Sequence, residues 1–326
     1  MDTQTQLELY KEMVLMRRLE ERAAKLYQEG KIGGFLHLYI GQEAVASGIL
    51  AARQPQDRAI TAYRDHGVAI ACGVEPVRVM AELLGKRDGT SRGFGGSMHM
   101  ADVERNFWGG HAIVGSHLPI AAGMALADQY RGQDAVTICF FGDGATNIGY
   151  FHEALNLAAV WDLPVLWICE NNQYGMGTSV GRASAIEEIH HKAEAYNTPH
   201  ARVDGMDIRM VYEAAQEALA HAREKGPFFL EAVTYRFEGH SVGDPERYRT
   251  KEEIGRWEEN DPIGIYRRHL LNDGAADEAL LDQLEEQVDL ELQEAVSQAE
   301  AGPEPAWEDF VGTIYADGYR DESWQL

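Results

Sequence analysis

Apolar and polar positions alternate along this chain in two periods. The first stretch, residues 6–28, sets Leu7, Tyr10, Met13, Leu15, Leu19, Ala23 and Leu26 at near-helical spacing, which predicts a long amphipathic helix stopped by Gly30. Its charged residues Arg17, Arg18, Glu20, Glu21 and Arg22 are expected on the solvated face. A turn at Gly33-Gly34 precedes a second helix over 41–52 and a short strand over 58–62. Pro76 starts a helix over 75–84, a glycine-rich loop fills 85–110, and a helix with small residues at 121, 122, 123, 125 and 127 covers 120–130. The loop's Phe94, Met98, Met100, Phe107 and Trp108 are too apolar for a linker, so it is expected to fold against the ligand edge. Two apolar runs, 136–141 and 164–169, then flank a helix over 147–161 and read as buried parallel strands. A helix over 186–196, a strand over 201–203, a helix reaching Arg223 and a last strand over 228–236 follow. Beyond the polar loop 237–250 the pattern is helical, broken at Pro262 and resumed over 277–300. Alternating strands and helices predict one α/β domain over 1–326: a mainly parallel sheet flanked by helices, with an N-terminal helix (about 5–29) and a C-terminal helical extension (about 252–326).

The two central strands end in oxygen ligands. The first runs into Gly142-Asp143-Gly144, the second into Glu170-Asn171-Asn172. In a parallel sheet both ends lie on the side where ligands bind. A carboxylate and an amide carbonyl suit magnesium, and turn amides ahead of a helix suit a diphosphate. A polar Asp-Gly turn alone is ordinary; both donor types at both strand ends of one unit point to a magnesium–diphosphate site.

A GDG followed about thirty residues later by a paired Asn resembles the thiamine diphosphate motif. With TAYRDHG, GGSMHM, CENNQYGMGTS and GHSVGDPERYRT, the chain resembles the α subunit of the pyruvate dehydrogenase component of 2-oxo acid dehydrogenase complexes, from about Leu7 to about Pro262. The resemblance implies a thiamine diphosphate-binding fold, thiamine diphosphate and Mg2+ as cofactors, and Asp143, Asn172 and the Tyr174 carbonyl as metal ligands. It implies that Tyr63, Arg64, Ala112, Val114, Gly144, Ala145 and His240 contact the cofactor, Val114 as the wedge that bends it. It also implies catalytic roles for His37, Tyr63, Arg64 and His240, in decarboxylation of a 2-oxo acid and transfer of the acyl unit to a lipoyl group of a partner acyltransferase. The family's acid that acts on the aminopyrimidine ring has no counterpart here and is expected from a β subunit, in an α2β2 assembly. His111-Ala112 and His117 depart from the family's Asn-Gly and Gln, Ser241 matches a mitochondrial phosphorylation site, and Arg247 replaces a second one. An acetoin dehydrogenase α subunit or a catalytically silent Mg-diphosphate-binding subunit are the alternatives.

Composition narrows the setting. The 326 residues are 45% hydrophobic and 25% charged, with net charge −24 and pI about 4.8, which argues against nucleic acid and anionic membranes as partners. Cys72, Cys139 and Cys169 lie in apolar contexts and are expected as free thiols of a reducing compartment. With neither a signal-peptide pattern nor a membrane-length apolar run, the expected location is the cytoplasm. The aromatics Trp307, Phe310, Tyr315, Tyr319 and Trp324 suggest a docking tail.

Overall fold

The structure, a computed structural model, describes residues 1–314. Six parallel strands form one sheet in the order β2-β1-β3-β4-β8-β7: β1 (Arg58–Ala62), β2 (Phe107–His111), β3 (Thr137–Gly142), β4 (Val165–Asn171), β7 (His200–Asp204) and β8 (Phe228–Val233). A small antiparallel hairpin, β5 (Tyr174–Gly175) and β6 (Thr178–Ser179), follows β4. Every residue of β4 is buried, as its unbroken apolar run requires in a sheet covered on both faces.

Side-chain alternation divides the core in two. Ile138, Phe140, Leu166 and Ile168 face one cluster with Met13 and Leu19 of α1 (Thr3–Gln28), Val45 of α2 (Glu43–Ala51), and Val211 of a later helix, Ile208–Lys225. Cys139, Phe141, Val165, Trp167 and Cys169 face the other, with Leu118 and Ala121 of the helix His117–Tyr130 and Phe151 and Leu155 of Gly149–Val160. All three cysteines are free and buried. The C-terminal extension folds back on α1: Tyr10 donates to Glu285 at 2.6 Å, and Lys11 pairs with Glu291 at 2.8 Å. No helix among the described residues is long and apolar enough to cross a membrane.

Four local expectations change. Residues 107–111 form an edge strand, not loop: Asn106, in the left-handed region at φ 55°, turns the chain so that its carbonyl accepts from Ala59 at 2.8 Å. Gly110 is required there, because any Cβ would collide with the Asp65 carboxylate. Over 186–196 only Ile189–Tyr196 is helical, in tight 3-10 turns, with Ile189 and Ala193 as its buried anchors. Glu20 is not solvated but 1% exposed, because it accepts the Tyr39 N–H at 2.8 Å and pairs with His66 at 2.9 Å. Its neighbour Arg17 is also mostly covered, bound to Glu43 at 2.6 Å and Asp261 at 3.1 Å. Tyr315, Tyr319, Trp324 and the side chain of Phe310 lie outside the described residues.

Candidate active site

The ends of β1, β3 and β4 and the chain beyond β8 surround a cavity of about 230 Å³, lined by Tyr63, Arg64, Val114, Gly115, His117, Asp143, Gly144, Ala145, Glu170, Asn172, Tyr174, Met176 and Arg236. Asp143 follows β3 and opens a 3-10 turn, Asp143–Asn147, that leads into the helix at Gly149. The Thr146 hydroxyl locks this turn by donating to the Asp143 carbonyl at 2.7 Å. The carboxylate is 4% exposed and its Oδ1 has no hydrogen-bond partner. Burial pushes it up to about 6, against the pull of Arg236 and Lys192. Asn172, beyond β4, donates its Nδ2 to Gln42 Oε1 at 3.0 Å, which fixes the amide and leaves Oδ1 buried and unpartnered. Two orphaned hard oxygens beside one cavity form a donor set that fits a magnesium ion. A Cβ on Gly144 would stand 3.3 Å from the Gly175 Cα, so the turn and the hairpin approach as bare backbone.

On the β1 side, the His37, Tyr63 and His240 rings cluster, with centroids 4.7 Å apart for His37–Tyr63, 5.1 Å for His37–His240 and 5.7 Å for Tyr63–His240. Arg64 is tied to main chain: it donates to the carbonyls of Leu38 and, at 2.9 Å, His240. Burial and the Arg64 charge push His37 down to about 3 and His240 down to about 4, so both rings are neutral near pH 7. Nδ1 of each is buried without a partner. His117 Nε2–H donates to the Phe140 carbonyl at 2.8 Å, its ring stacks on His111 at 5.9 Å, and its Nδ1 is also unpartnered.

Most residues singled out in the sequence meet here: Tyr63, Arg64, Val114, Asp143, Gly144, Ala145, Asn172 and Tyr174 line the cavity, and His37 and His240 stand against Tyr63. Ala112 is half-buried after β2 and is not among the lining residues. The Tyr174 hydroxyl points to Glu253, to which it donates at 2.8 Å, and its carbonyl accepts from Arg236 at 3.2 Å.

Two charged residues, Arg236 and Lys192, escaped the sequence reading as site residues, and Glu170 was read only as part of a strand end. Arg236, 1% exposed, clamps the hairpin by donating to the carbonyls of Tyr174 and, at 3.1 Å, Met176. Its signal is positional: like Arg64, it stands just beyond a strand on the ligand side. Lys192 reaches the β3 turn, donating to Thr146 Oγ1 at 2.8 Å and Asn147 Oδ1 at 2.9 Å. Glu170 accepts the Tyr39 hydroxyl, and burial pushes its carboxyl up to about 7.

Comparison with known proteins agrees with this arrangement. The family described as "Dehydrogenase E1 component" matches residues 11–308. A Rhizobium meliloti protein named "Pyruvate dehydrogenase E1 component subunit alpha" is 48% identical over 313 residues, 95% of this chain and 89% of that protein. Proteins of the same name from Rickettsia felis (45% over 311 residues; 95% and 94% of the two chains) and Zymomonas mobilis subsp. mobilis (45% over 321; 98% and 90%) are also similar. With strand-end oxygens, a covering cavity and a match along nearly its whole length, the chain belongs to the dehydrogenase E1 component family, the thiamine-dependent component of 2-oxo acid dehydrogenases.

Proposed function

We propose that this chain is the α subunit of a cytoplasmic pyruvate dehydrogenase. It works with a β subunit as an α2β2 heterotetramer, uses thiamine diphosphate and Mg2+, and passes the acyl unit from pyruvate to a lipoyl group of a partner acyltransferase. The observation that carries this reading is the pair of buried, unpartnered oxygens, Asp143 Oδ1 and Asn172 Oδ1, beside one cavity at the ends of adjacent strands. The relatives' printed names favour pyruvate and an α/β division of labour.

Asp143 and Asn172, with the Tyr174 carbonyl, would hold the metal, and Asp143 would supply the negative charge. Backbone at Gly144 and Ala145 would face the diphosphate, since the bare approach of Gly144 to Gly175 keeps side chains out. Lys192 braces the turn and Arg236 the hairpin, so the ligand atoms are set before the cofactor arrives. Val114 gives the cofactor an apolar support. When bound, thiamine diphosphate supplies the nucleophilic carbon and the electron sink for decarboxylation. The neutral His37 and His240 rings, held by Tyr63 and by the Arg64 bond to the His240 carbonyl, offer Nδ1 atoms to substrate oxygen without repelling a cationic ring.

Val114 and Met176 line the cavity while 43% and 65% exposed, and nearby Ile113 is 68% exposed. Apolar side chains at a cavity mouth favour a protein that covers them, and a β subunit there completes the site with its acid. The three buried free thiols suit the cytoplasm. The test is reconstitution of the full chain with its β subunit and a substrate panel. Mg2+-dependent turnover of pyruvate by the pair, with none from the chain alone, is expected. Preference for acetoin would make it an acetoin dehydrogenase subunit; failure to bind the cofactor would overturn the assignment.

A further inference from the structure

On the β7 edge of the sheet, away from the residues that line the cavity, three histidines converge. His190 and His191 are adjacent on the 3-10 turn Ile189–Tyr196, and His200 opens β7. One ring nitrogen from each lies within 4.8 Å of the other two. His190 Nδ1 and His200 Nδ1 are 2.9 Å apart, a separation at which one must donate and the other accept, so the two nitrogens already point at each other. The centroids of His190 and His191 are 4.1 Å apart, and those of His191 and His200 5.5 Å.

Carboxylates flank the cluster. Glu194 accepts from His191 Nδ1 at 2.6 Å and lies 3.4 Å from His200 Nε2. Glu188 is 3.3 Å from His191 Nε2. The backbone under the cluster is fixed, because the His190 N–H donates at 2.9 Å to Glu231, a fully buried carboxylate of β8. The cluster therefore has a covered base in His190 and His200, with side chains 13% and 20% exposed, and an exposed arm in His191, 42% exposed.

We propose that His190, His191 and His200, with water in the fourth position, form a second metal site that takes a divalent ion of the zinc class and staples the 3-10 turn to the start of β7. Zn2+ takes four N and O ligands in a tetrahedron with Zn–N of about 2.0–2.1 Å, which sets neighbouring nitrogens roughly 3.4 Å apart. The cluster reaches that spacing by parting the His190–His200 pair slightly and swinging the exposed His191 inward. Imidazole nitrogens prefer Zn2+, Ni2+ and Cu2+ to Mg2+, whereas the Asp143–Asn172 pair is all oxygen. One chain thus offers two sites that sort metals by ligand softness. The site stands on the histidine geometry alone and is independent of the cofactor reading.

The test is calorimetric titration of the metal-stripped full chain with Zn2+, in excess Mg2+ so that oxygen-only sites are filled. One Zn2+ per chain is expected, with a rise in Tm, and Co2+ in its place is expected to give the visible absorption of a tetrahedral, nitrogen-ligated ion. His191→Gln and His200→Gln should each weaken Zn2+ binding by more than about 100-fold, beyond the roughly 10–100-fold that loss of an outer-shell partner costs. Asp143→Ala should leave Zn2+ binding as it is. His191 is exposed, so its variant keeps the fold, and an unchanged circular dichroism spectrum verifies this. Absence of Zn2+ binding, or equal affinity in the histidine variants, would overturn the proposal.

Discussion

Two buried aspartates at opposite ends of the sheet show how the fold separates structure from chemistry. Asp57, just before β1, is fully buried and fully satisfied: it accepts from Gln54 N at 2.7 Å, Val136 N at 2.9 Å and Arg223 at 2.8 Å through each oxygen. Asp143, just after β3, is nearly as buried, yet one of its oxygens has no partner, and neither has Asn172 Oδ1 on the next strand. A buried polar atom left unmade costs about 1–3 kcal/mol. That deficit is closed at Asp57 and left open at Asp143 and Asn172. The open end is where a ligand has something to gain.

The comparison breaks most sharply by removing each carboxylate in turn. Asp143→Ala should take pyruvate turnover by the reconstituted α/β pair to background while the thermal unfolding curve stays near wild type. Asp57→Ala should do the reverse, costing about 1–3 kcal/mol by leaving the buried Val136 N–H without its acceptor, with cofactor affinity kept in the folded fraction. Urea unfolding and titration of both variants check the pair of outcomes; equal loss of stability in the two would erase the distinction.

His37→Ala sharpens the account within the open end. Its Nδ1 is assigned to substrate and not to the metal, so kcat on pyruvate should fall by about 100-fold while cofactor affinity changes little. Parallel losses in steady-state rate and in calorimetric affinity would make His37 a packing residue.

The smallest effect is on pH dependence. Burial raises Asp143 to about 6 from its ordinary 3.8. A raised carboxyl contributes stability that is fully present below pH 3.8 and is lost as pH rises through about 6. Without cation, wild type should therefore lose about 1–3 kcal/mol relative to Asp143→Asn between pH 4 and 7, and Mg2+ with thiamine diphosphate should abolish the difference. A pH-independent gap between the two proteins would contradict the placement of an unpaired carboxylate there.

What the sequence revealed follows the same division. Asp143 and Asn172 were legible because each ends an unbroken apolar strand, and strand ends of a parallel unit have one address. Arg236 was not, because the strand expected over 228–236 runs up to it, whereas β8 ends at Val233 and the next three residues carry Arg236 back over the hairpin. Glu20 sits at a helix position that looks solvated. Its partners there are Tyr39 and His66, both distant in sequence. Strand β2 was hidden by its two glycines, which lower strand propensity in isolation, while Gly110 is demanded by the Asp65 side chain packed against it. Local pattern exposes residues whose role is set by their own element. Residues whose role depends on a long-range partner need the fold.

The central claim is that Asp143 and Asn172 form one oxygen site for the cofactor's metal. It is tested most directly by calorimetric titration of thiamine diphosphate into the α/β pair carrying Asn172→Ala or Asp143→Ala, with and without Mg2+. The account predicts that both variants lose Mg2+-dependent binding, Asp143→Ala more completely because it removes a charge. Wild-type affinity in both variants would contradict it.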